Sequence, residues 1–243
     1  MKIRNLNSII RWPSVGITNE STRERWLEKT VGSLQKGSRI LDAGAGNQRY
    51  RKFCNHLNYV SQDFGEYDGK GDSVGLHTGE FNYGELDIVS DIATIPEPDS
   101  SFDAIMCIEV LEHVPDPIQV VKEFARLLKP SGYLILTAPF CSLTHFAPYH
   151  FNTGFNKYWY EKHLNDMNFS VTEIDANGNF FEYLAQEIFR IPTISGRYSK
   201  DKPNWFELLS MYIIQRMLLR FSNGDSNSSE FLCFGYHVLA RKR

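Results

Sequence analysis

Short apolar runs alternate along the chain with longer stretches whose apolar residues recur at helical spacing. The short runs are typical of strands in a buried sheet, and they predict strands over residues 39–42, 59–63, 86–91, 102–108, 133–139, 169–174 and 231–240. The longer stretches predict helices over residues 19–34, 118–129, 159–167 and 205–221. Alternating strands and helices indicate an α/β fold, with a mostly parallel sheet and helices on both faces. Such sheets bind ligands at the carboxyl ends of their strands.

A glycine-rich turn, Asp42-Ala-Gly44-Ala-Gly46, follows the first predicted strand. Glycines let the backbone approach a ligand closely, and the start of a helix after the turn would be electropositive. Asp63 closes the second predicted strand, at about the spacing where an acid binds ribose hydroxyls. The third glycine of a dinucleotide fingerprint is replaced by Arg49. The turn alone therefore leaves two alternatives open, a nucleotide site and a plain tight turn.

Composition and charge narrow the class of protein. The chain has 243 residues, of which 42% are hydrophobic and 23% charged, as in ordinary globular proteins rather than disordered ones. The formal net charge of −3 gives no electrostatic footprint for nucleic-acid binding. The four cysteines form no zinc-type pair, and the N-terminal residues contain no apolar signal-peptide run. We therefore expect a cytoplasmic protein with no nucleic-acid partner.

Three further pieces follow the glycine turn in a fixed order. Asp91-Ile92 follows the third predicted strand, a Glu-Val-Leu-Glu-His-Val run at 109–114 follows the fourth, and Leu-Lys-Pro-Ser-Gly-Tyr at 128–133 precedes the fifth. This succession resembles the class I S-adenosylmethionine-dependent methyltransferases, specifically the large group that acts on small molecules. The resemblance covers roughly residues 36–175 and the last strand. It implies a Rossmann-like sheet of seven strands, with the last strand antiparallel.

The resemblance also implies a binding site for the cofactor S-adenosylmethionine. The glycine turn would hold its methionine part, and Asp63 would bind its ribose hydroxyls. Asp91 and Ile92 would contact the adenine, and Glu109 would face both the cofactor and the substrate pocket. The helix that usually follows Asp63 is replaced by a glycine-rich segment over residues 65–85. The expected cofactor-binding residues are thus Asp42, Gly44, Gly46, Asp63, Asp91, Ile92 and Glu109.

His145 and His150 follow the fifth predicted strand, where a substrate loop is expected. A histidine titrates near neutral pH and suits removal of a proton from a hydroxyl group. These two residues, together with Glu109, are the candidate catalytic groups, although either histidine could make only structural hydrogen bonds. We therefore expect in-line methyl transfer to a small-molecule acceptor, at a hydroxyl oxygen.

Glu109, Glu112 and His113 form a candidate metal site. On a helical turn, residues at i, i+3 and i+4 share one face, and two carboxylates with an imidazole could hold a divalent cation. The resemblance adds that some ubiquinone-pathway O-methyltransferases and small-RNA methyltransferases bind magnesium or a related ion at such a run. A later histidine completes the site in some of them. Other relatives with the same run use no metal, so both alternatives stay open.

The segment over residues 178–230 is longer than a minimal fold of this kind requires. Aromatic residues make up 14% of the chain and concentrate after residue 139, in segments expected to cover the substrate pocket. In the predicted helix 205–221 the polar residues fall on several sides, which favours a buried cap helix or a homodimer contact. Contact with a membrane surface is the alternative, because the helix is too short to span a bilayer.

We interpret the chain as one methyltransferase domain over residues 1–243. Its parts are an N-terminal helical segment (residues 1–37), a cofactor-binding half (38–139), the substrate-side and cap segments (140–230) and the final strand (231–243). Two other functions stay open: an oxidoreductase that binds a nucleotide cofactor such as NAD at the same turn, and a non-catalytic S-adenosylmethionine-binding protein of the same fold. The missing third glycine and the run at 109–113 argue against the oxidoreductase.

Overall fold

The computed structural model describes residues 12–69 and 81–243. Two parts of the sequence predictions lie outside the described residues. These are residues 1–11 of the N-terminal segment and residues 70–80 of the glycine-rich segment. The described chain forms two compact units, a larger one over residues 23–176 and 235–243 and a smaller one over residues 12–22 and 177–234. The interpretation as one domain stays a prediction.

Within the described residues, the sheet has seven strands in the order β3-β2-β1-β4-β5-β7-β6. The strands are β1 (Arg39–Ala43), β2 (Asn58–Asp63), β3 (Ile88–Val89), β4 (Phe102–Ile108), β5 (Leu128–Pro139), β6 (Phe169–Asn177) and β7 (Gly235–Lys242). Strands β1 to β5 pair in parallel, whereas β7 runs antiparallel to β5, with Thr137 opposite His237. The predicted Rossmann-like sheet with an antiparallel last strand is thereby confirmed.

The strand order reverses at the centre of this sheet. Strand β1 pairs with β2 on one side and with β4 on the other, so the chain leaves these strands in opposite directions. Apolar side chains from these strands and from the preceding helix pack into one core, including Leu27, Ile40, Met106 and Ile135. Each such buried side chain contributes roughly 1.5–3 kcal/mol. The core therefore holds the carboxyl ends of β1, β2 and β4 at a fixed crevice.

The third strand is shorter than the sequence predicted. Strand β3 covers only two of the residues in 86–91. Directly before it, the Asp87 carboxylate accepts hydrogen bonds from the Ser61 amide at 2.8 Å and from the Ser61 hydroxyl at 2.7 Å. The Ser61 amide is thus paired with a side chain rather than with a strand backbone. Because this side-chain pairing takes the place of backbone pairing at Asp87, the backbone ladder between β2 and β3 begins only at Ile88.

Three helices belong wholly or mainly to the larger unit: α1 (Asn19–Gly32), α2 (Pro117–Leu127) and α3 (Lys157–Asp166). Helix α2 begins with Pro117 in its first turn, and the Asp116 carboxylate caps it by accepting from the amides of Ile118 and Gln119. The helix ends two residues earlier than predicted because Leu128 already pairs with Phe102 as the start of β5.

No α-helix follows the glycine turn directly, contrary to the prediction. The described chain instead forms a five-residue 3₁₀ turn, Arg49–Phe53. The residue before it, Gln48, has a left-handed backbone (φ 58°), and its side-chain amide donates to the carbonyl oxygens of Tyr83 at 3.1 Å and Glu85 at 2.6 Å. These bonds hold the turn against the segment after residue 81. The turn therefore lacks the aligned dipole of a long helix.

The smaller unit contains two long helices, α4 (Phe180–Tyr198) and α5 (Trp205–Asn223). The sequence interpretation included α5 but not α4, whose interior proline, Pro192, obscured a helical pattern. Val15, Ala185 and Leu218 form the buried centre of the unit. The Gln215 side-chain amide donates to the Ala185 carbonyl oxygen at 2.7 Å and ties the two helices together.

Helix α5 is not buried on all sides. Of the two roles predicted for it, the buried cap helix was therefore wrong, whereas the homodimer contact stays a prediction. The buried residues of α5 are Met211, Gln215 and Leu218, which share one side. The opposite side carries large apolar side chains that are exposed. The helix is apolar on both sides, yet only one side packs within the unit. The exposed side therefore needs a separate explanation.

Candidate cofactor site and active site

A cavity of about 770 Å³ opens at the carboxyl ends of β1, β2 and β4. A cavity of this size fits a drug-sized ligand. The structure brings together in its lining all the residues for which the sequence predicted cofactor contacts: Asp42, Gly44, Gly46, Asp63, Asp91, Ile92 and Glu109. All of them belong to the larger unit. The predicted residues thus share one site, and their individual roles stay predictions.

The glycine turn forms the floor of this cavity through its backbone. The amides of Gly44 and Ala45 donate to the Gln62 carbonyl oxygen at 2.9 and 2.8 Å, which joins the ends of β1 and β2. Gly44 has φ +77°, and a Cβ atom placed on it would lie 2.5 Å from Cγ2 of Val110. Only glycine satisfies both the left-handed backbone and this close approach. The turn is therefore specific in geometry as well as in sequence.

Asp63 is held at the cavity wall by the backbone. Its Oδ2 accepts from the Gly46 amide at 2.9 Å, and its Oδ1 accepts from the Gly65 amide at 3.2 Å. Burial raises the pKa of Asp63, while these amide hydrogen bonds oppose the rise. The carboxylate is thus fixed in orientation, with lone pairs left over to accept from hydroxyl groups of a ligand.

Asp42 lies deeper in the same site and is buried. The Tyr59 hydroxyl donates to its Oδ2 at 2.6 Å. Burial raises the pKa of Asp42 to about 7, the Tyr59 hydrogen bond lowers it, and the nearby Asp63 carboxylate raises it further. In the unfolded chain the same carboxyl titrates near its ordinary pKa of about 4. Ionisation of Asp42 therefore destabilises the folded protein progressively as pH rises from about 4 to about 7.

Asp42→Asn is expected to stabilise the protein more at about pH 8 than at about pH 4, because asparagine accepts the Tyr59 hydrogen bond without carrying a charge. Thermal unfolding at both pH values measures the difference in Tm from the unsubstituted protein. Asp201→Asn, at an exposed position, serves as the control and should shift Tm equally at both pH values. An equal Tm difference at both pH values for Asp42→Asn would contradict the prediction.

Glu109 follows β4 in a left-handed backbone conformation (φ 57°), which costs a non-glycine residue about 1 kcal/mol or more. Both of its carboxylate oxygens have partners. The Thr137 hydroxyl donates to Oε1 at 2.9 Å, and Nη1 of Arg23 lies 3.1 Å from Oε2. With both oxygens engaged, the geometry suits Glu109 to orient a ligand, and its predicted catalytic role stays a prediction.

A cluster of three histidines and one glutamate lies beside the cavity. Glu112 is only 1% exposed, and its Oε1 lies 3.7 Å from Nε2 of His113 and 3.8 Å from Nε2 of His145. The ring of His150 lies 5.0 Å from that of His145, between centroids. Burial, followed by the charge of Glu109, raises the pKa of Glu112 well above its ordinary value. We call these four residues the histidine cluster.

The candidate metal site contains His145 in place of Glu109, which the sequence predicted. In the part of the chain that the structure describes, the possible ligand atoms of Glu112, His113 and His145 lie within 4.8 Å of one another. Leu111–His113 is a 3₁₀ turn rather than an α-helical one, and Glu109 is engaged by Thr137 and Arg23. Glu109 therefore does not share a face with Glu112 and His113 as the sequence predicted.

The two predicted catalytic histidines, His145 and His150, are separated from the cavity by His113. His113 lines the cavity, whereas His145 and His150 do not reach its lining. Nε2 of His150 lies 3.0 Å from the Ser142 hydroxyl, and burial lowers the pKa of His150. Whether His145 or His150 acts in catalysis stays a prediction.

Sequence reasoning did not include several residues of the cavity wall. Arg23 comes from α1, far from any motif, and only the fold brings it to Glu109. His113 was considered for metal binding alone, although its position directly after Glu112 was a usable signal. Aromatic rings form much of the remaining wall. Phe146, Tyr149 and Phe151 belong to the aromatic-rich segment after residue 139 that was expected there, whereas Phe64, Tyr67, Phe81 and Tyr83 were not predicted.

Residues 41–136 match the family model described as a methyltransferase domain. Together with the strand order, this match confirms the resemblance to the class I S-adenosylmethionine-dependent methyltransferases. Residues 41–136 therefore resemble a methyltransferase domain, and the sheet that contains them has the strand order expected for the class I fold.

Among curated relatives, the ubiquinone biosynthesis O-methyltransferase of Leptothrix cholodnii is 29% identical over 118 residues, which cover 47% of this chain and 49% of the relative. The chain thus spans about half the length of the curated relatives it matches.

Solved structures share the fold at low identity. The [4+2]-cyclase SpnF is 17% identical with a TM-score of 0.53, over 95% of this chain and 86% of that chain. A phosphoethanolamine N-methyltransferase 2 from Haemonchus contortus, in complex with S-adenosyl-L-methionine, is 14% identical with a TM-score of 0.50, over 91% of this chain and 52% of that chain. These likenesses support the fold, which hosts more than one chemistry.

None of the described helices combines the length and the apolar character that crossing a membrane requires.

Proposed function

We propose that the protein transfers the methyl group of S-adenosylmethionine to a hydroxyl oxygen of a small molecule. One observation carries the proposal: the residues predicted for the methionine, ribose and adenine parts of the cofactor line a single cavity at the strand ends. The relatives named as O-methyltransferases support oxygen as the acceptor atom. The missing third glycine continues to argue against an NAD-dependent oxidoreductase.

The cofactor, when bound, supplies a methyl carbon activated by its sulfonium group. Displacement of the methyl group by an acceptor oxygen would break the carbon–sulfur bond and leave S-adenosylhomocysteine, and the hydroxyl proton would pass to a base of the protein. The protein's part is to align the two reactants and to exclude water. Asp63 and the glycine turn would fix the cofactor, and Glu109, held by Arg23, would orient it from the end of β4.

The cavity wall favours an aromatic acceptor. Phe146 and Tyr149 pack around Tyr67, with ring centroids 4.9 and 6.3 Å away, and Phe81 adds an edge at 5.7 Å. Aromatic walls bind flat, apolar rings through edge-to-face contacts. We therefore propose a phenolic hydroxyl as the methyl acceptor.

Isothermal titration with S-adenosylhomocysteine and with NAD tests the cofactor. Binding of the first without the second supports the proposal, whereas binding of NAD alone would overturn it in favour of the oxidoreductase. Transfer of a labelled methyl group to a panel of phenols, with matched anilines as controls, then tests the reaction. Cofactor binding without transfer to any acceptor would favour the non-catalytic alternative.

The histidine cluster would supply the base, with His113 facing the acceptor and His145 and His150 behind it. The Nδ1 atoms of His113 and His145 lie 2.5 and 2.8 Å from the carbonyl oxygens of Tyr149 and Leu143. A carbonyl oxygen accepts only, so each Nδ1 carries a proton and each neutral ring keeps a lone pair on Nε2. A lone pair on Nε2 is what a general base requires.

His113→Gln is expected to lower kcat by about 100-fold or more, because it removes the imidazole nearest the acceptor. His150→Gln is the matched control and should change kcat little, because its Nε2 contacts Ser142. Steady-state kinetics, with cofactor affinity measured separately, give the comparison. A larger loss from His145→Gln or His150→Gln would assign the base to the residues that the sequence predicted.

A divalent cation fits the same cluster. The Nε2 atoms of His113 and His145 lie 3.7 and 3.8 Å from Oε1 of Glu112, and among the described residues the buried Oε2 of Glu112 has no hydrogen-bond partner. Electron-rich atoms this close repel one another unless a proton or a cation lies among them. Two imidazoles and one carboxylate suit zinc or manganese better than magnesium. Glu112, His113 and His145 would hold this ion through the same Nε2 atoms, so the ion would take the place of the histidine base and would instead lower the pKa of the acceptor hydroxyl.

Removal of metal by a chelator is expected to lower both activity and Tm, and zinc or manganese should restore them. Glu112→Gln should abolish the effect of the chelator on Tm. Calorimetry and activity assays on stripped and reloaded protein measure both quantities. Full activity together with an unchanged Tm after stripping would show that a proton, not a metal, occupies the cluster.

We also propose a cytoplasmic location. Among the described residues the four cysteines form no disulfide, and Cys141 is exposed, which suits a reducing compartment. The proposed partners are the small-molecule acceptor and no nucleic acid, in keeping with the net charge of −3.

A further inference from the structure

One side of α5 presents a continuous apolar surface to solvent. Seven large apolar side chains on this side are each at least 40% exposed. They occupy a half-turn of the helix circumference, opposite Met211, Gln215 and Leu218. We call this surface the α5 outer face; it consists of Trp205, Phe206, Leu209, Ile213, Ile214, Met217 and Phe221, together with Ser210, Arg216 and Arg220.

The helix does not need this face in order to fold. Asn204 and Glu207 form a capping box at its start, and its opposite side packs on α4 through Gln215 and Leu218. A contiguous exposed apolar patch formed by seven large side chains marks an interaction site. The α5 outer face is therefore available to a partner without disturbing the helix itself.

The charge of this region is opposite to that of the whole chain. Residues 197–221 carry five basic and two acidic side chains, whereas the chain has a formal net charge of −3. Arg216 and Arg220 lie on the α5 outer face itself and are exposed. Of the two acids, Glu207 is occupied in capping, because its Oε2 accepts from the Asn204 amide at 2.7 Å. The face thus combines apolar side chains with an excess of positive charge.

This combination favours an anionic lipid surface over a second copy of the chain. In a twofold dimer the same face meets itself, so the arginines and lysines of one copy would approach those of the other. At an anionic bilayer the apolar side chains enter the acyl boundary, while lysines and arginines contact the phosphates. Trp205 at the start of the helix suits the interfacial layer, where aromatic side chains concentrate.

We propose that the α5 outer face binds the surface of an anionic lipid bilayer. The helix lies in the plane of the interface, and Arg216 and Arg220 contact the headgroup phosphates while their stems lie along the apolar boundary. This binding does not depend on the proposed methyl transfer. It makes the protein peripheral to the membrane, in agreement with the absence of a spanning helix among the described residues.

Sedimentation of the full chain with lipid vesicles tests the proposal. We expect association with vesicles that contain phosphatidylglycerol, much weaker association with phosphatidylcholine alone, and a loss of association as salt is raised. Phe206→Glu should weaken association by about tenfold or more, because it places a charge in the acyl boundary. Tyr158→Glu, on α3, is the matched control: Tyr158 is 63% exposed and Phe206 is 61% exposed.

Arg216→Gln combined with Arg220→Gln should weaken association with anionic vesicles by about 25-fold, from roughly fivefold for each arginine. Lys36→Gln with Lys122→Gln, at exposed positions on the larger unit, should change little. Circular dichroism checks that every variant keeps its helices. No association with anionic vesicles, or equal loss from Tyr158→Glu and Phe206→Glu, would overturn the proposal. A dimer in light scattering that Phe206→Glu dissociates, without vesicle binding, would assign the face to a second copy.

Discussion

Asp63→Ala is expected to weaken the binding of S-adenosylhomocysteine by about 10- to 150-fold, as measured by isothermal titration. The carboxylate is fixed by the amides of Gly46 and Gly65 and faces the cavity. A hydrogen bond from a ligand hydroxyl to such a charged acceptor contributes roughly 1.5–3 kcal/mol. Asp63→Asn keeps a carbonyl acceptor but loses the charge, so an intermediate affinity is expected.

Glu123→Ala is the control for this experiment. Glu123 is a buried acid that also accepts a backbone amide, from Ile95 at 2.8 Å, but it lies outside the cavity lining. Its removal should lower Tm without changing the affinity for S-adenosylhomocysteine. If Asp63→Ala leaves the affinity unchanged, or if both variants lower it equally, the ribose assignment of Asp63 is wrong.

Gly44→Ala is expected to lower the same affinity further, by about 100-fold or more, because the turn must move off its position before the cofactor can approach the backbone. The added Cβ would lie 2.5 Å from Cγ2 of Val110, in a backbone with φ +77°. Overpacking of this kind costs about 1–3 kcal/mol, and the left-handed backbone adds about 1–2 kcal/mol. Calorimetric titration and thermal unfolding of the same preparation separate the loss of affinity from the loss of stability.

Gly37→Ala isolates the backbone contribution. Gly37 also has a left-handed backbone (φ +83°), but a Cβ placed there meets no atom within 4 Å. It should therefore lower Tm modestly and leave cofactor binding intact. Loss of affinity in both variants would show that general destabilisation weakens cofactor binding. The close approach of Gly44 to Val110 would then not explain the loss.

The sheet and the cofactor wall were predictable because each depends on local features of the sequence. Apolar runs identified the strands, although β5 begins five residues earlier than predicted, at Leu128, and β7 begins four residues later, at Gly235. The residues that end β1, β2 and β4 converge wherever parallel strands share an edge. Strand β3 was overestimated because the Asp87 side chain, and not the backbone, pairs with Ser61. A side chain that replaces a ladder hydrogen bond leaves no mark in a hydrophobic pattern.

The acid–base part of the site was predicted less well because it depends on tertiary contacts. The spacing of Glu109, Glu112 and His113 suggested one helical face, but the backbone at Glu109 is left-handed and its carboxylate contacts Arg23. Only the fold shows that His145 approaches Glu112 from a distant loop. The exposure of α5 was missed for a related reason, since an apolar helix indicates burial without indicating what covers it.

Two described parts of the cavity wall, around Tyr67 and around Tyr83, are joined without a strand ladder. The Tyr83 hydroxyl accepts from the Tyr67 amide at 3.0 Å, and the side chain of Gln48 donates to the Tyr83 and Glu85 carbonyl oxygens. Because these bonds do not belong to the backbone pairing of the sheet, side chains near Tyr67 and Tyr83 can change without shifting the register of the strands. The preference for one acceptor over another can therefore diverge at this wall while the cofactor half stays as it is.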